Sequence, residues 1–324
     1  MQSVEGSHSC PDALKGASVA IGNFDGVHRG HQAVLEAALS EAKAQGAPSG
    51  VMTFEPHPRD YFQPDKPVFR LTPEALKLEL FAAMGLDMAV VQTFDAALSA
   101  LPAAEFVSKI LVGDLGVSHV VTGSDFKFGK GRDGDASVLR RLGDAHGFGV
   151  TTVEPQGEGS DVFSSSSIRA HLRNGEARPA AEELGYWWRV RGAVVGGDKR
   201  GRLIGFPTAN IAVPRGFALK HGIYAVRIHT AGGRFDGASY LGTRPSFDDG
   251  APSIETFLFD FSGDLYGQEI EVEIIAFLRP DKKFGSADAL VQQMTKDCAA
   301  SRDVLAALEA EDPIARYPLA QALK

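Results

Sequence analysis

The sequence predicts an α/β domain with a mostly parallel sheet, followed by a small antiparallel β-barrel with a C-terminal helix. Three observations carry that expectation. Strand-like and helical runs alternate from Ser18 to about Gly185; the helical period then vanishes and strands follow one another across glycine-rich turns; a long helical pattern runs near the end of the chain. A chain of 324 residues exceeds the size at which one core stops growing, so two domains are expected, residues 1–184 and 185–324.

In the first part the strands are expected at Ser18–Gly22, Gly50–Phe54, Met88–Phe94, His119–Gly123 and Val150–Glu154. Helical patterns start near Gln32, Pro73, Pro102 and Ala136. Met1 to Cys10 is polar, without the basic start and apolar core of a signal peptide, and reads as a frayed leader. In the second part the strands are expected at Tyr186–Val195, Gly222–Ala231, Arg234–Gly242, Glu255–Phe261 and Glu269–Phe277. From Ser286 to Leu308 the apolar Leu290, Met294, Val304 and Leu308 are spaced to cover the barrel from one side.

Composition narrows the partners. Hydrophobic residues make up 44% and charged residues 23%, with no apolar run of the roughly 18 residues needed to span a bilayer, so no membrane is expected and a cytoplasmic location follows. The 33 basic and 41 acidic residues give a net charge of −8, which repels a nucleic-acid backbone, and the basic loops are short; no nucleic acid is expected. Cys10 and Cys298 have no Cys or His at zinc spacing, which argues against a structural metal or a disulfide. Assembly into a homo-oligomer is left open.

The most informative segment is Gly22-Asn23-Phe24-Asp25-Gly26-Val27-His28-Arg29-Gly30-His31, between a strand and a helix. Glycines there let backbone approach a ligand, and the N–H groups of a helix start attract phosphate. His28 and His31, three apart, share a helix face and can both donate to phosphate oxygens, which suggests phosphoryl or nucleotidyl chemistry. Read singly, each is an ordinary surface histidine at a helix start, and Asp25 before Gly26 is equally a turn residue. In doubly wound sheets ligands bind beyond the carboxyl ends of strands, where Gly22–His31, Glu55–Pro58 and Ser124–Asp135 all fall. His57, between prolines, either contacts phosphate or fills its turn; Phe126 and Phe128 either close over a flat ring or belong to the core. The run Ser164-Ser165-Ser166-Ser167-Ile168-Arg169 either caps a helix or, with Arg169, forms a second phosphate-binding surface facing the first.

A second cluster lies in the second part, from Gly196 to Asn210. A glycine-rich basic loop alone reads as a solvated hairpin, but it continues into Phe206-Pro207-Thr208-Ala209-Asn210. Thr208 and Asn210, two apart, project to one side of an extended segment, where both oxygens can meet one hard cation, for which Mg²⁺ with nucleotide phosphates is the natural guest. This is not a Walker loop, which needs Gly-Lys-Ser/Thr at a helix start.

The glycine-histidine decade, Thr53-Phe54-Glu55-Pro56-His57-Pro58, Asp125-Phe126-Lys127-Phe128-Gly129 and the serine-rich Ile-Arg motif together resemble the adenylyltransferase half of bifunctional riboflavin kinase/FAD synthetases. The resemblance implies a Rossmann-like nucleotidyltransferase domain in which the phosphate of FMN attacks the α-phosphorus of ATP, giving FAD and pyrophosphate without a covalent enzyme intermediate. His28 and His31 are then the catalytic donors. Gly22, Asn23, Phe24, Asp25, Gly30, Ser164, Ser165 and Arg169 complete the nucleotide site, and His57, Asp125, Phe126 and Phe128 are flavin candidates. Two departures are visible: Ser166 stands for the usual threonine, and Ser124 where an acidic residue is common.

The second part resembles riboflavin kinase through Gly196–Asn210, Gly222-Ile223-Tyr224-Ala225, Leu241–Pro245, Glu255–Phe261 and Asp264-Leu265-Tyr266-Gly267. This implies that Glu255 is the general base for riboflavin's ribityl hydroxyl. Gly196, Lys199, Gly205, Pro207, Thr208 and Asn210 would bind ATP, with Mg²⁺ on Thr208 and Asn210, and Asp297 and Arg302 would reach the flavin. A strand-end glutamate paired with an arginine such as Arg244 is the plain alternative for Glu255, and a surface ion pair that for Asp297 and Arg302. Phe257 replaces a histidine common two residues after the glutamate. Taken together, the two resemblances imply an ATP-dependent enzyme acting on riboflavin and FMN with Mg²⁺, releasing FAD. The alternative is a monofunctional riboflavin kinase with a degenerate nucleotide-binding first domain.

Overall fold

The computed structural model describes residues 1–159, 161–196, 205–214, 216–243 and 252–323. Two compact units result, Met1–Ser165 with the last few residues of the chain, and Ser166–Gln321.

The first unit is built on six parallel strands: β1 (Gln2–Glu5), β2 (Ser18–Ile21), β3 (Ser49–Glu55), β4 (Met88–Thr93), β5 (His119–Gly123) and β6 (Gly149–Val153), in the spatial order β1-β4-β3-β2-β5-β6. The central strand β2 is buried along its whole length, as a parallel strand covered on both faces must be, which is why it reads as an apolar run and not an alternation. The order turns at β2, with β3 on one side and β5 on the other, so the crevice beyond its carboxyl end opens at the switch point of the sheet. The glycine-histidine decade occupies that place. A short antiparallel ribbon, β7 (Gly157–Glu158) with β8 (Asp161–Val162), follows β6.

The expectation of a frayed leader is overturned. Gln2–Glu5 adds to the sheet edge, parallel to β4 with Val4 opposite Val90, and Val4 and Cys10 are buried in the core. Its strand is only four residues long and mostly exposed, too short for an alternating pattern to stand out. The pattern starting near Pro102 is also not a plain helix: a turn at Ala103–Glu105 passes into a π-helical segment, Phe106–Asp114, whose Phe106, Val107, Ile110 and Leu111 face the core.

The second unit is a closed antiparallel barrel of β9 (Arg189–Val195), β10 (Ala209–Ala212), β11 (Gly222–Thr230), β12 (Gly233–Thr243), β13 (Pro252–Leu258) and β14 (Glu269–Arg279), in the order β10-β13-β12-β11-β14-β9. The strand β10 was read only as an extended segment; it closes the ring between β13 and β9. The helix Ala287–Ala310, capped by the Ser286 hydroxyl, packs Leu305 and Leu308, with Val304 beside them, against Ala225, Phe259 and Ile275 of the barrel; of the four expected covering residues Val304 and Leu308 join this cluster, while Leu290 and Met294 stay outside it and are only half-buried. Among the described residues no helix is long and apolar enough to cross a membrane.

Gly237 shows how closely the barrel is packed. A Cβ there would lie 2.5 Å from the Phe257 carbonyl oxygen and 2.6 Å from Ile228 Cδ1, and backbone cannot yield as a side chain does. Gly237→Ala therefore destabilises the barrel by about 1–3 kcal/mol, read as a lower urea midpoint in the fluorescence of Trp187 and Trp188.

Candidate active sites

The turn from β2 into the helix Arg29–Gln45 is made in an unusual conformation. Phe24 (φ 50°), Gly26 (φ 88°) and Val27 (φ 38°) all have left-handed backbone, and Phe24 and Val27 are buried. A β-branched residue there is a genuine outlier, sustained only where the surroundings enforce it. The enforcement is visible. Asp25, 2% exposed, accepts from the Leu71 and Thr72 N–H groups at 3.0 Å each, and the Thr72 hydroxyl accepts from Gly26 N at 2.9 Å. Asp25 is therefore at least a brace that ties the turn to the segment before the helix Glu74–Ala83.

His28 caps the helix: its Nδ1 accepts from His31 N at 3.3 Å. The two imidazoles stack with centroids 3.6 Å apart, and Phe24 meets the His31 ring edge-on at 5.2 Å. Sequence spacing placed both rings on one face, and the structure brings them into contact. Gly30 makes room for this, because a Cβ would lie 3.1 Å from the His28 ring. The Cβ position of Gly22 is similarly filled by the Phe24 ring at 3.1 Å.

The serine motif meets the same turn. The Ser165 hydroxyl donates to the Asp25 carbonyl at 2.8 Å, and Arg29 lies 4.3 Å over the Phe163 ring while pairing with Glu158 at 2.8 Å. Ser164 is half-buried beside it. Arg169 lies farther along the helix Ser165–Asn174, in the second unit. His57 caps the short helix Pro58–Phe62, its Nδ1 accepting from Arg59 N at 3.1 Å. Asp125 is exposed, whereas Phe128 is buried in the core against Phe106, and Phe126 stacks on it at 5.6 Å. Phe128 takes the core alternative, and Phe126 is partly buried against the same core.

Beneath the turn lies a charged cluster that the sequence did not announce. Arg70 forks onto Glu55 at 2.6 and 3.0 Å, and Lys77, 1% exposed, donates to Glu55 Oε1 at 2.8 Å, Thr53 Oγ1 at 2.9 Å and the Asn23 carbonyl at 3.3 Å. Burial pushes the Lys77 ammonium below its ordinary range, with the Glu55 charge opposing. Burial raises the Glu55 carboxyl, but the Arg70 hydrogen bonds and the Lys77 charge outweigh it, so it lies below its ordinary value of 4.5. One signal was available: Lys77 interrupts the apolar stripe of Leu76, Leu80 and Phe81, all buried.

In the barrel, the register sets Asn210 of β10 and Tyr240 of β12 directly opposite Glu255 of β13, so the three share one face side by side. Ile254, Thr256 and Leu258 alternate to the other face and are buried. Asn210 is itself buried and its Nδ2 donates to the Thr208 main-chain carbonyl at 3.4 Å, so its carboxamide is tied to the backbone just before β10, opposite Glu255. Phe257, next along the Glu255 face, packs edge-on against Phe206 at 5.2 Å, an aromatic contact where a polar group is common. Gly205 has left-handed backbone (φ 87°), Pro207 is exposed, and Gly196 ends the described part of the loop after β9. Lys199 and Arg244 lie outside the described residues. Asp297, 7% exposed, is held by Arg279 at 2.6 and 2.8 Å and by Gln293 at 2.9 Å; Arg302 pairs at the surface with Asp260 at 2.9 Å above the Phe259 ring.

Comparison with known proteins settles the family. Residues 10–167 match the model of FAD synthetase and residues 184–305 that of riboflavin kinase. The bifunctional riboflavin kinase/FMN adenylyltransferase of Escherichia coli K12 is 37% identical over 305 residues, 94% of this chain and 97% of that one; that of Listeria monocytogenes is 40% identical over 294 residues, 90% and 93%. The chain belongs to this bifunctional family. It is a transferase carrying both a FAD synthetase and a riboflavin kinase domain, which favours the two-activity reading over a kinase with a degenerate first domain. A crystal structure of a protein described as a macrolide-efflux protein from Streptococcus pneumoniae has the same fold, with a TM-score of 0.83 at 28% identity over 93% of this chain and 99% of that one.

The charged cluster gives the FAD synthetase domain a defined response to acid. Because the folded-state value of Glu55 lies below its unfolded value, its contribution to stability is present above about pH 4.5 and is lost as the pH falls through the folded-state value. Glu55→Gln should lower the denaturation midpoint at pH 7, and its deficit relative to wild type should shrink on acidification, as followed by urea titrations at several pH values.

Proposed function

We propose that this chain phosphorylates riboflavin to FMN with ATP in its second domain and adenylylates FMN to FAD, releasing pyrophosphate, in its first. The division of labour falls at residues 1–184 and 185–324. The observation that supports it most is the occurrence on one chain of two separate arrangements suited to it: stacked His28 and His31 at a helix start, and Glu255 in register with Asn210.

In the first site, backbone N–H groups of the turn, with His28, His31, Ser164 and Ser165, would bind phosphate, and the family resemblance assigns Arg169 to the same nucleotide. Imidazole N–H groups fixed by stacking cost no reorganisation as charge moves onto the leaving pyrophosphate, which is how preorganised donors lower a barrier. Asn23, Gly22, Phe24 and Gly30 shape the cradle, Asp25 braces it, and His57, Asp125 and Phe126 border the flavin. In the second site Glu255 takes the proton of the ribityl hydroxyl as it attacks the γ-phosphorus of ATP. Asp297 and Arg302 flank the flavin, and Lys199, Gly196, Gly205 and Pro207 belong to the ATP loop. The hydroxyl of Thr208 and the carboxamide of Asn210 are hard oxygen donors that suit Mg²⁺. Mg²⁺ there would neutralise phosphate charge. The substrates are small molecules, the enzyme works in the cytoplasm without nucleic acid or membrane, and self-association is compatible with this reading.

Incubating the purified chain with riboflavin, ATP and Mg²⁺ should give FMN and then FAD; FMN alone would return the degenerate-domain reading. Glu255→Gln should lower FMN formation by roughly 10²–10⁴-fold while FAD formation from supplied FMN is unchanged, by chromatography of the flavins. Gly30→Ala, which shifts the His28 ring by a few tenths of an ångström, should slow FAD formation by roughly 10-fold and spare the kinase.

A further inference from the structure

Lys77 is buried, and its three nearest acceptors exhaust the three protons of an ammonium: Glu55 Oε1, Thr53 Oγ1 and the Asn23 carbonyl. A lysine that served only to pair with Glu55 would need no bond to the glycine-rich turn. The Asn23 carbonyl is also met by the Thr53 hydroxyl, which donates to it at 3.1 Å. Two donors on one oxygen fix the plane of the Asn23–Phe24 peptide. In a trans peptide the C=O and N–H point to opposite sides, so the Phe24 N–H is directed away from Lys77, and among the described residues it has no acceptor. Phe24 holds φ 50° here, a conformation that a bulky residue leaves unless it is held.

We propose that Lys77 is a positioning residue for adenylyl transfer, which fixes the Asn23 carbonyl so that the Phe24 N–H stands ready to donate to a phosphoryl oxygen of the bound nucleotide. The inference rests on the first site being the adenylyltransferase site. Lys77 touches no substrate and moves no proton; it acts through one peptide plane. Thr53 shares the task from β3.

The test uses the full chain with Lys77→Met and Thr53→Val, and Glu55→Gln as a control that removes the ion pair while its amide oxygen still accepts from Lys77. Calorimetry with pyrophosphate alone reads the cradle without turnover. Lys77→Met should bind pyrophosphate about 10-fold more weakly, the effect of losing one well-placed hydrogen bond, with the affinity for FMN changed by less than about twofold. Its kcat for FAD formation should fall roughly 100-fold, as for loss of a fixed donor to developing charge, while riboflavin phosphorylation is unchanged. Thr53→Val should shift pyrophosphate affinity in the same direction by a smaller factor, and Glu55→Gln should leave it near wild type. Pyrophosphate affinity unchanged in Lys77→Met overturns the proposal, as does Glu55→Gln weakening pyrophosphate as much as Lys77→Met, which would make the role one of general stability. Should Lys77→Met fail to bind FMN because the domain is unfolded, Thr53→Val decides: unchanged pyrophosphate affinity then overturns the proposal. A wild-type chain that binds pyrophosphate but makes no FAD contradicts the functional reading and leaves the affinity comparison to judge Lys77 separately.

Discussion

The first unit depends on one constraint: the buried strand β2 must turn into the helix Arg29–Gln45 across a few residues. The solution puts Phe24, Gly26 and Val27 in left-handed backbone. For non-glycine residues this costs on the order of 1–3 kcal/mol each, and the cost is sustained only by surroundings that leave no alternative. Asp25 accepts two backbone N–H groups from Leu71 and Thr72, Thr72 holds Gly26, Ser165 holds the Asp25 carbonyl, and Lys77 and Thr53 hold the Asn23 carbonyl. Anchors come from four separated segments, so the turn is over-determined, and its amides and imidazoles are preorganised before any ligand arrives.

The barrel reaches a comparable end by other means. A closed antiparallel sheet has no free edge, so cross-strand register becomes the positioning device. Asn210 and Glu255 are direct partners on β10 and β13, and a slip of one residue would send Glu255 to the face now held by Ile254 and Thr256. The buried hydrogen bond between Ser239 and Thr256, at 2.7 Å, opposes such a slip, because either hydroxyl left without its partner would be a buried unsatisfied group. The Glu255 carboxylate is thus placed by backbone pairing, which tolerates little drift.

The alternation of strand and helix, the change of grammar near Gly185 and the covering helix Ala287–Ala310 were legible because each is a periodic signal longer than its noise. The strands β1 and β10 were not: at four residues each, neither shows enough alternation to separate it from an extended loop. The local motifs were legible as well, since His28, His31 and the serine run are neighbours in sequence. Lys77, Arg70 and Glu55 were invisible for the opposite reason. Their meaning lies in contacts across 15 to 54 residues of sequence, and a lone lysine on an apolar stripe looks like an imperfection in a helix until the acceptors around it are seen. Phe128 illustrates a third case, in which an aromatic residue in a suspicious loop is core because the loop folds back on Phe106.

The two sites differ in a way that follows from their nucleophiles. A phosphate monoester has its second pKa near 6, so the FMN phosphate is already largely ionised at neutral pH and attacks without surrendering a proton. A site for that reaction needs donors and positive charge held still, which is why the stacked imidazoles at the helix start were proposed for it. The ribityl hydroxyl of riboflavin carries its proton into the reaction, and a positioned base is then required. Glu255 stands on a strand, half-buried beside Asn210 and Tyr240, which is the setting that led us to propose it for that base. In the first unit Glu55, below the turn, is by contrast paired with Arg70 and Lys77, so its charge supports the scaffold.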